Sequence, residues 1–265
     1  MSAAARRFAW PGFLRGVAGL LVILCAWEAF ARSGLFSTAL TPPLGAIASE
    51  LWKLLLDGSM IRNALCTLGR VLLGLGISCA IGIPLGMLMG RVRPVERFFM
   101  PLVSVLMPVP SLAWVPLFIL WFGIGNMTTI IVVTYAAMFP IVHNVWTGVR
   151  AVNPLWIRAA RAMGAPSRAM FWKVVLPGSL PYLMTGIRLS FGRAWIAVIG
   201  GELLANPDTG LGRVIFDAKE FLDSPVMLSA LIVIGALGLF FERVVFQALE
   251  NRTVARWGMV SAASR

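Results

Sequence analysis

Residues 65–89 read LCTLGRVLLGLGISCAIGIPLGMLM, an apolar stretch interrupted by one charge, Arg70. A helix rises about 1.5 Å per residue, so about 20 such residues cross the ~30 Å hydrocarbon core of a bilayer. Gly74, Ser78, Gly82, Gly86 and Gly90 recur at every fourth position. At about 3.6 residues per turn they form one narrow stripe of small side chains. Such a stripe lets a second helix backbone come close inside lipid. Pro84 is expected to kink the helix, because it lacks an N–H and its ring crowds the preceding turn.

Comparable apolar blocks lie at 16–31, 98–122, 127–149, 179–203 and 227–246. The first follows Arg6, Arg7 and Arg15, and Ala29-Phe30-Ala31 resembles a signal-peptide cleavage site. Bulky Trp27 and acidic Glu28 stand where such a site should be small and neutral, so the block reads as an uncleaved first span. Thr41-Pro42-Pro43 then breaks the chain. Leu44, Ile47, Leu51, Leu54 and Leu55 recur at helical spacing, with Glu50, Lys53 and Asp57 between them. This pattern predicts an amphipathic helix on the membrane surface or against the bundle. Block 98–122 holds Pro101, Pro108, Pro110 and Pro116. Irregular backbone at membrane depth needs cover from protein or a water-filled cavity, which places this block inside the bundle. The expected fold class is an all-α membrane protein with about six transmembrane helices. A cytoplasmic segment at 1–15 precedes a single membrane domain at 16–250, and a cytoplasmic tail follows at 251–265.

The 265 residues are 59% hydrophobic and 13% charged, where a soluble domain carries about a quarter charged residues. Net charge is +12, from 23 Lys and Arg against 11 Asp and Glu. In a soluble protein this excess would point to nucleic acid. Here the aromatics sit within apolar blocks rather than between basic residues, and the charge reports topology instead. With six crossings and the N terminus inside, fifteen of the 23 cations fall in inside regions. Six fall outside, and Arg188 and Arg193 remain within the fifth span. Both termini are then cytoplasmic.

Enzyme signatures are missing. The one histidine, His143, cannot form an HExxH zinc site, and no GxxxxGK[ST] loop is present to cradle phosphates. Cys25, Cys66 and Cys79 have no metal-ligand spacing, and an odd count gives no disulfide framework. They read as small packing residues, and His143 reads as a bundle residue. No cofactor is implied for this chain. ATP-driven work would need another chain to bind the nucleotide.

Residues 157–177 read IRAARAMGAPSRAMFWKVVLP. Ala159, Ala160 and Ala162 favour helix. Gly164 ends it, since glycine takes the left-handed conformation readily. Pro166 suits the first turn of a second helix, and Pro177 is expected to stop that helix before the fifth span. The result is a short helical hairpin with small residues at its surface and a basic rim, able to seat in a cleft of a partner.

This loop resembles the EAA loop of binding-protein-dependent ABC importer permeases. That pattern is E-A-A, three residues, G, nine residues, I-x-L-P. Ala159-Ala160, Gly164 and Leu176-Pro177 match it, while Arg158 replaces the glutamate. Thr67-Leu68-Gly69-Arg70, Leu112-Ala113-Trp114-Val115-Pro116-Leu117, Trp121-Phe122-Gly123-Ile124-Gly125 and Gly210-Leu211-Gly212 resemble the nitrate/sulfonate/taurine branch.

The resemblance implies the type I ABC importer permease fold and a permease homodimer around a path. It also implies two cytoplasmic ATPases carrying ATP and Mg, and a periplasmic binding protein that delivers the solute. Arg158, Ala159, Ala160, Gly164, Ala165, Leu176 and Pro177 would then dock the ATPase. The solute class would be aliphatic sulfonate, taurine, nitrate, bicarbonate or a heterocycle.

Arg188 and Arg193 are deeply placed cations. An intramembrane cation is costly and faces protein or water. They read either as lining for an anion or as guanidiniums satisfied within the structure. Five positions is about 500° around a helix, so the two cannot both face one axis. Glu202, near the outer end of the same span, reads as a gate or packing contact. A transporter or channel working alone, or an intramembrane enzyme, would need paired acidic or histidine residues or a nucleophile and base. The former are scarce in the spans, and no nucleophile–base motif is present.

Overall fold

The computed structural model describes residues 10–37 and 39–249, and every element among them is helical. The expected tail at 251–265 and residues 1–9 of the amino-terminal segment lie outside the described residues. Helix α1 (Trp10–Arg32) is followed by α2 (Leu44–Leu56), whose start is fixed from α1. Glu28 accepts a hydrogen bond from the Leu44 amide (2.8 Å), and the Trp27 indole donates to the Pro42 carbonyl (3.1 Å). Asp57-Gly58 then turns the chain. Hydrogen bonds from Ser59 hold the Asp57 carboxyl below its ordinary value, and Gly58 takes φ 76°, which suits glycine.

Helix α3 (Ser59–Arg91) runs on through Pro84 without a break. Its small-residue stripe lies against α6 (Asn126–Ala151). A Cβ on Gly74 would sit 2.6 Å from Val133 Cγ1, and one on Gly90 would sit 2.6 Å from Val149. Gly82 faces Ile141 and Gly86 faces Val145 in the same way. Ser78 donates to the Thr134 carbonyl at 2.8 Å. Residue numbers rise together on both helices, so α3 and α6 are parallel.

The chain must therefore return between them. It does so through α4 (Arg93–Leu106), a 3-10 turn at Ser111–Trp114 and α5 (Val115–Phe122). Glu96, early in α4, bonds to Trp146 and Arg150 at the end of α6. Asn126, just after α5, accepts from Arg70 near the start of α3. The block expected as one span over 98–122 is built of two helices, bent by 91°. Pro108 and Pro110 withhold two amide donors within three positions. The backbone is extended at Pro110 (ψ 127°) before the helix restarts. The Leu106 carbonyl at the break accepts the Tyr135 hydroxyl (3.0 Å).

Helix α7 (Pro154–Ala162) and the short α8 (Ser167–Met170) form the hairpin. Pro177 does not stop the second helix. A π-helical turn at Phe171–Val175 passes directly into α9 (Leu176–Ala205), with the Leu176 amide donating to the Phe171 carbonyl. The wider turn accommodates a residue that has no amide to donate.

Helix α9 is antiparallel to α6: Gly201 meets Thr129, Gly186 meets Asn144, and Gly148 meets Tyr182. After α10 (Leu211–Glu220), helix α11 (Ser224–Phe240) and a π turn at Phe241–Phe246 run antiparallel to α9. Gly238 lies on Trp195, and Glu242 pairs with Arg188. Val71, Val133, Ile141, Val145, Ala194 and Val198 make the dry centre where α3, α6 and α9 meet. Ser59–Arg91, Asn126–Ala151 and Ser224–Leu249 are each long and apolar enough to cross a membrane, and the bent pair, taken as one span, makes a fourth. The protein is a multi-pass helical membrane protein.

Candidate functional site

The helices frame a cleft at the helix break, a buried polar knot and the hairpin. The cleft holds about 270 Å³, between residues 107–112, the middle of α6 and one face of α9. Pro108, Pro110, Tyr135, Phe139, Ile196 and Arg193 are among its walls. Leu112 lies against the bare backbone of α9, since a Cβ on Gly200 would sit 2.6 Å from its methyl carbons.

The two arginines of α9 separate here. Arg188 donates through Nε (2.9 Å) and Nη2 (2.6 Å) to Glu242 on the last helical segment. Arg193 is exposed in the cleft and makes no hydrogen bond or ion pair among the described residues. A largely apolar cleft therefore carries one unpaired cation among the described residues.

Glu202 takes no part in this cleft. It is fully buried, where α10 begins. The Thr67 hydroxyl donates to its carboxylate (2.9 Å), Arg70 Nη1 pairs with it (2.5 Å), and the Gly212 amide donates to it (2.8 Å). Thr67 also accepts from the Leu211 amide (2.8 Å), and Asn63 Oδ1 accepts from the Gly210 amide (2.7 Å). Arg70 is completed by Asn126 and Thr209. A carboxylate at the first turn of α10 is favoured by that helix's dipole and by its free amides. A buried charge this well partnered is tolerated, whereas removing one partner costs about 3–5 kcal/mol.

The knot explains two glycines. A Cβ on Gly210 would sit 2.5 Å from Glu202 Cδ, and one on Gly212 would sit 2.6 Å from Glu202 Cβ. Thr67-Leu68-Gly69-Arg70 and Gly210-Leu211-Gly212, separate motifs in the sequence, are two halves of one network, and Asn63 and Asn126, which no motif marks, complete it. Glu202, the first carboxylate after Glu96, was the available signal.

At the opposite end of α9, the hairpin closes as the spacing predicts. Gly164 has φ 75°, its amide donates to the Arg161 carbonyl (3.0 Å), and the Ala165 amide donates to the Ala160 carbonyl (3.0 Å). These two bonds define a Schellman cap. Ala160 is buried, while Arg158, Ala159 and Ala162 are exposed. Arg91 at the end of α3 stacks on Phe171, 4.8 Å from the ring centre. Leu176 and Pro177 are half-buried and helical. His143 is half-buried beside Trp146 (5.6 Å between rings). No cluster of three metal-ligating side chains occurs among the described residues.

Residues 82–254 match the family described as binding-protein-dependent transport system inner membrane component. The chain belongs to this family. An ABC transporter permease protein of Methanocaldococcus jannaschii is 40% identical over 186 residues, 70% of each chain. The taurine transport system permease protein of Escherichia coli is 32% identical over 246 residues, 91% of this chain and 89% of its own. The fold matches that of a MetNI methionine ABC transporter chain in an inward-facing form, with a TM-score of 0.62 and 22% identity. That match covers 76% of this chain and 97% of the other. The protein is thus a non-catalytic permease subunit of an ABC importer and moves a small solute. It works with cytoplasmic ABC ATPases and a periplasmic substrate-binding protein.

Proposed function

We propose that the permease belongs to the sulfonate, taurine and nitrate branch and carries a small anion from periplasm to cytoplasm. In this reading the chain crosses the inner membrane six times with both termini inside, as 1–15, 16–250 and 251–265 were divided above. Helix α1 and the 30-residue α9 add two crossings to the four apolar units. Two copies enclose the path, and residues 158–160, 164–165 and 176–177 dock the ATPase.

Arg193 carries the anion reading. A cation without a partner in an apolar cleft is costly, and a passing anion would satisfy it for the time it takes to cross. Arg188 holds Glu242 and serves structure, and Glu202 anchors α10 rather than lining the path. The taurine-system relative fits an anionic headgroup as cargo.

The test is uptake into proteoliposomes holding the permease, its ATPase and its binding protein. Taurine, an alkanesulfonate, nitrate and bicarbonate are compared with a cation of similar size. Arg193→Gln should lower anion uptake about tenfold, the scale of one lost charge-assisted hydrogen bond, with ATPase capture unchanged. Equal anion uptake by wild type and variant, or preference for the cation, overturns the proposal.

A further inference from the structure

We infer that His143 is a second station for the anion, one step beyond Arg193 toward the hairpin end of the bundle. The inference rests on the reading of the Arg193 cleft as part of the solute path. Three contacts fix the antiparallel register of α6 and α9: Gly201 on Thr129, Gly186 on Asn144 and Gly148 on Tyr182. In that register Arg193 is level with Ala137, and His143 lies six residues nearer the hairpin. At 1.5 Å per residue the step is about 9 Å along the helix. Ala136, Phe139 and Pro140 give α6 its share of the cleft wall. His143 follows Phe139 by four positions and Pro140 by three, so it stands on the same face of α6. On α9, Arg193, Leu189, Thr185 and Tyr182 recur three and four positions apart, and all four are exposed. The cleft therefore continues past Arg193 as an open strip along α9, with His143 at its edge.

The hydroxyl and amide groups beside His143 are spent on their own helices. Thr147 donates to the His143 carbonyl (2.8 Å), Asn144 to the Pro140 carbonyl (2.8 Å) and Thr185 to the Pro181 carbonyl (3.0 Å). The imidazole is not spent. It is half-buried beside Trp146, and neither nitrogen makes a hydrogen bond or ion pair among the described residues. An ionisable side chain within a span that finds no partner in the bundle marks a polar path. Even a neutral imidazole has one N–H to donate. No carboxylate lines the strip to compete for it. Between Glu96 and Glu202 the sequence has no Asp or Glu, and Glu96 is held by Trp146 (3.1 Å) and Arg150 (3.0 Å). An anion released by Arg193 thus meets no repelling charge before its next donor, whereas a cation meets Arg193 and no acceptor charge at all.

The test uses proteoliposomes holding the full-length permease, its ATPase and its binding protein, with taurine, propanesulfonate, nitrate and bicarbonate as probes. His143→Phe keeps a flat ring against Trp146 and removes the donor. His143→Gln keeps a donor and removes the ring. His143→Phe should lower anion uptake about fivefold, the scale of one hydrogen bond, while His143→Gln stays within about twofold of wild type. The reverse order assigns His143 to packing and overturns the inference. Wild-type uptake by His143→Phe beside a defect in Arg193→Gln also overturns it, and leaves the cleft as the path. Wild-type uptake by both variants, or no anion uptake by the wild type, removes the path reading and the inference with it. A second readout needs no solute. In the chain with its three cysteines replaced by alanine, His143→Cys should react with 2-sulfonatoethyl methanethiosulfonate in preference to the trimethylammonium reagent. The preference should be about tenfold relative to free cysteine, and Arg193→Gln should abolish it. No reaction with either reagent, or the same preference in both backgrounds, places His143 off the path.

Discussion

Gly210 shows how one side-chain-free position can hold a buried network. Its φ is 131°, and an added Cβ would reach 2.5 Å from the Glu202 carboxylate and 2.6 Å from Arg70 Nη1. Neither group can withdraw, because each is fixed by other bonds to Thr67, Asn126 and Thr209. Gly210→Ala should therefore separate the ion pair and cost about 3–5 kcal/mol, as loss of one partner does. Thermal unfolding in detergent should show a Tm several degrees lower, while Gly69→Ala, whose Cβ meets nothing within 4 Å, should leave Tm near wild type. Equal melting of the two variants would mean that the knot gives way without cost. This network was illegible in the sequence for a plain reason. Thr67 and Leu211 are 144 positions apart, and nothing local to either names the other. The roles of Arg188 and Arg193 were equally open, because the decisive fact is Glu242, 54 positions beyond Arg188.

Elements whose causes lie within a turn or two of chain were easier to read. Gly164 with its alanines writes a Schellman cap into consecutive residues. The amphipathic spacing at 44–55 writes α2. The break at 107–110 was foreshadowed by its prolines, but the 91° bend was not, because an angle depends on what the freed carbonyls meet. The smooth passage through Pro177 was also hidden, since proline near a helix start is compatible with both a stop and a π turn.

The stripe on α3 permits a test at this scale. A Cβ on Gly86 would approach the Val142 carbonyl oxygen to 2.7 Å, and a backbone carbonyl in a helix cannot step aside. Gly86→Leu should force α3 from α6 and cost about 3 kcal/mol or more, the upper range for overpacking. Gly76→Leu, on the open face of the same helix with nothing within 4 Å, should be tolerated. Yield and monodispersity after detergent extraction distinguish them, and equal behaviour would show that the α3–α6 contact yields easily.

At the scale of the molecule, helix direction constrains topology more tightly than hydropathy does. Parallel α3 and α6 require residues 93–122 to recross the same thickness, whatever the bend at 107–110. A re-entrant loop, entering and leaving on one face, would instead leave α6 antiparallel to α3. The stripe contacts from Gly74–Val133 to Gly90–Val149 exclude that arrangement. The two ends of this segment, Val92 and Ile124, must therefore lie on opposite faces, and both are exposed. In the proposed orientation, the excess of Arg and Lys on the side of Arg91, Arg93, Arg97 and the hairpin faces the cytoplasm. In a chain with Cys25, Cys66 and Cys79 replaced by alanine, Ile124→Cys should react with a membrane-impermeant maleimide added to spheroplasts. Val92→Cys should react only after permeabilisation, as should Ser167→Cys in the hairpin, while Gly58→Cys should react from outside. Labelling of Val92→Cys and Ile124→Cys from the same side would return the bent pair to one face. It would also break the parallel packing from which the rest of the topology follows.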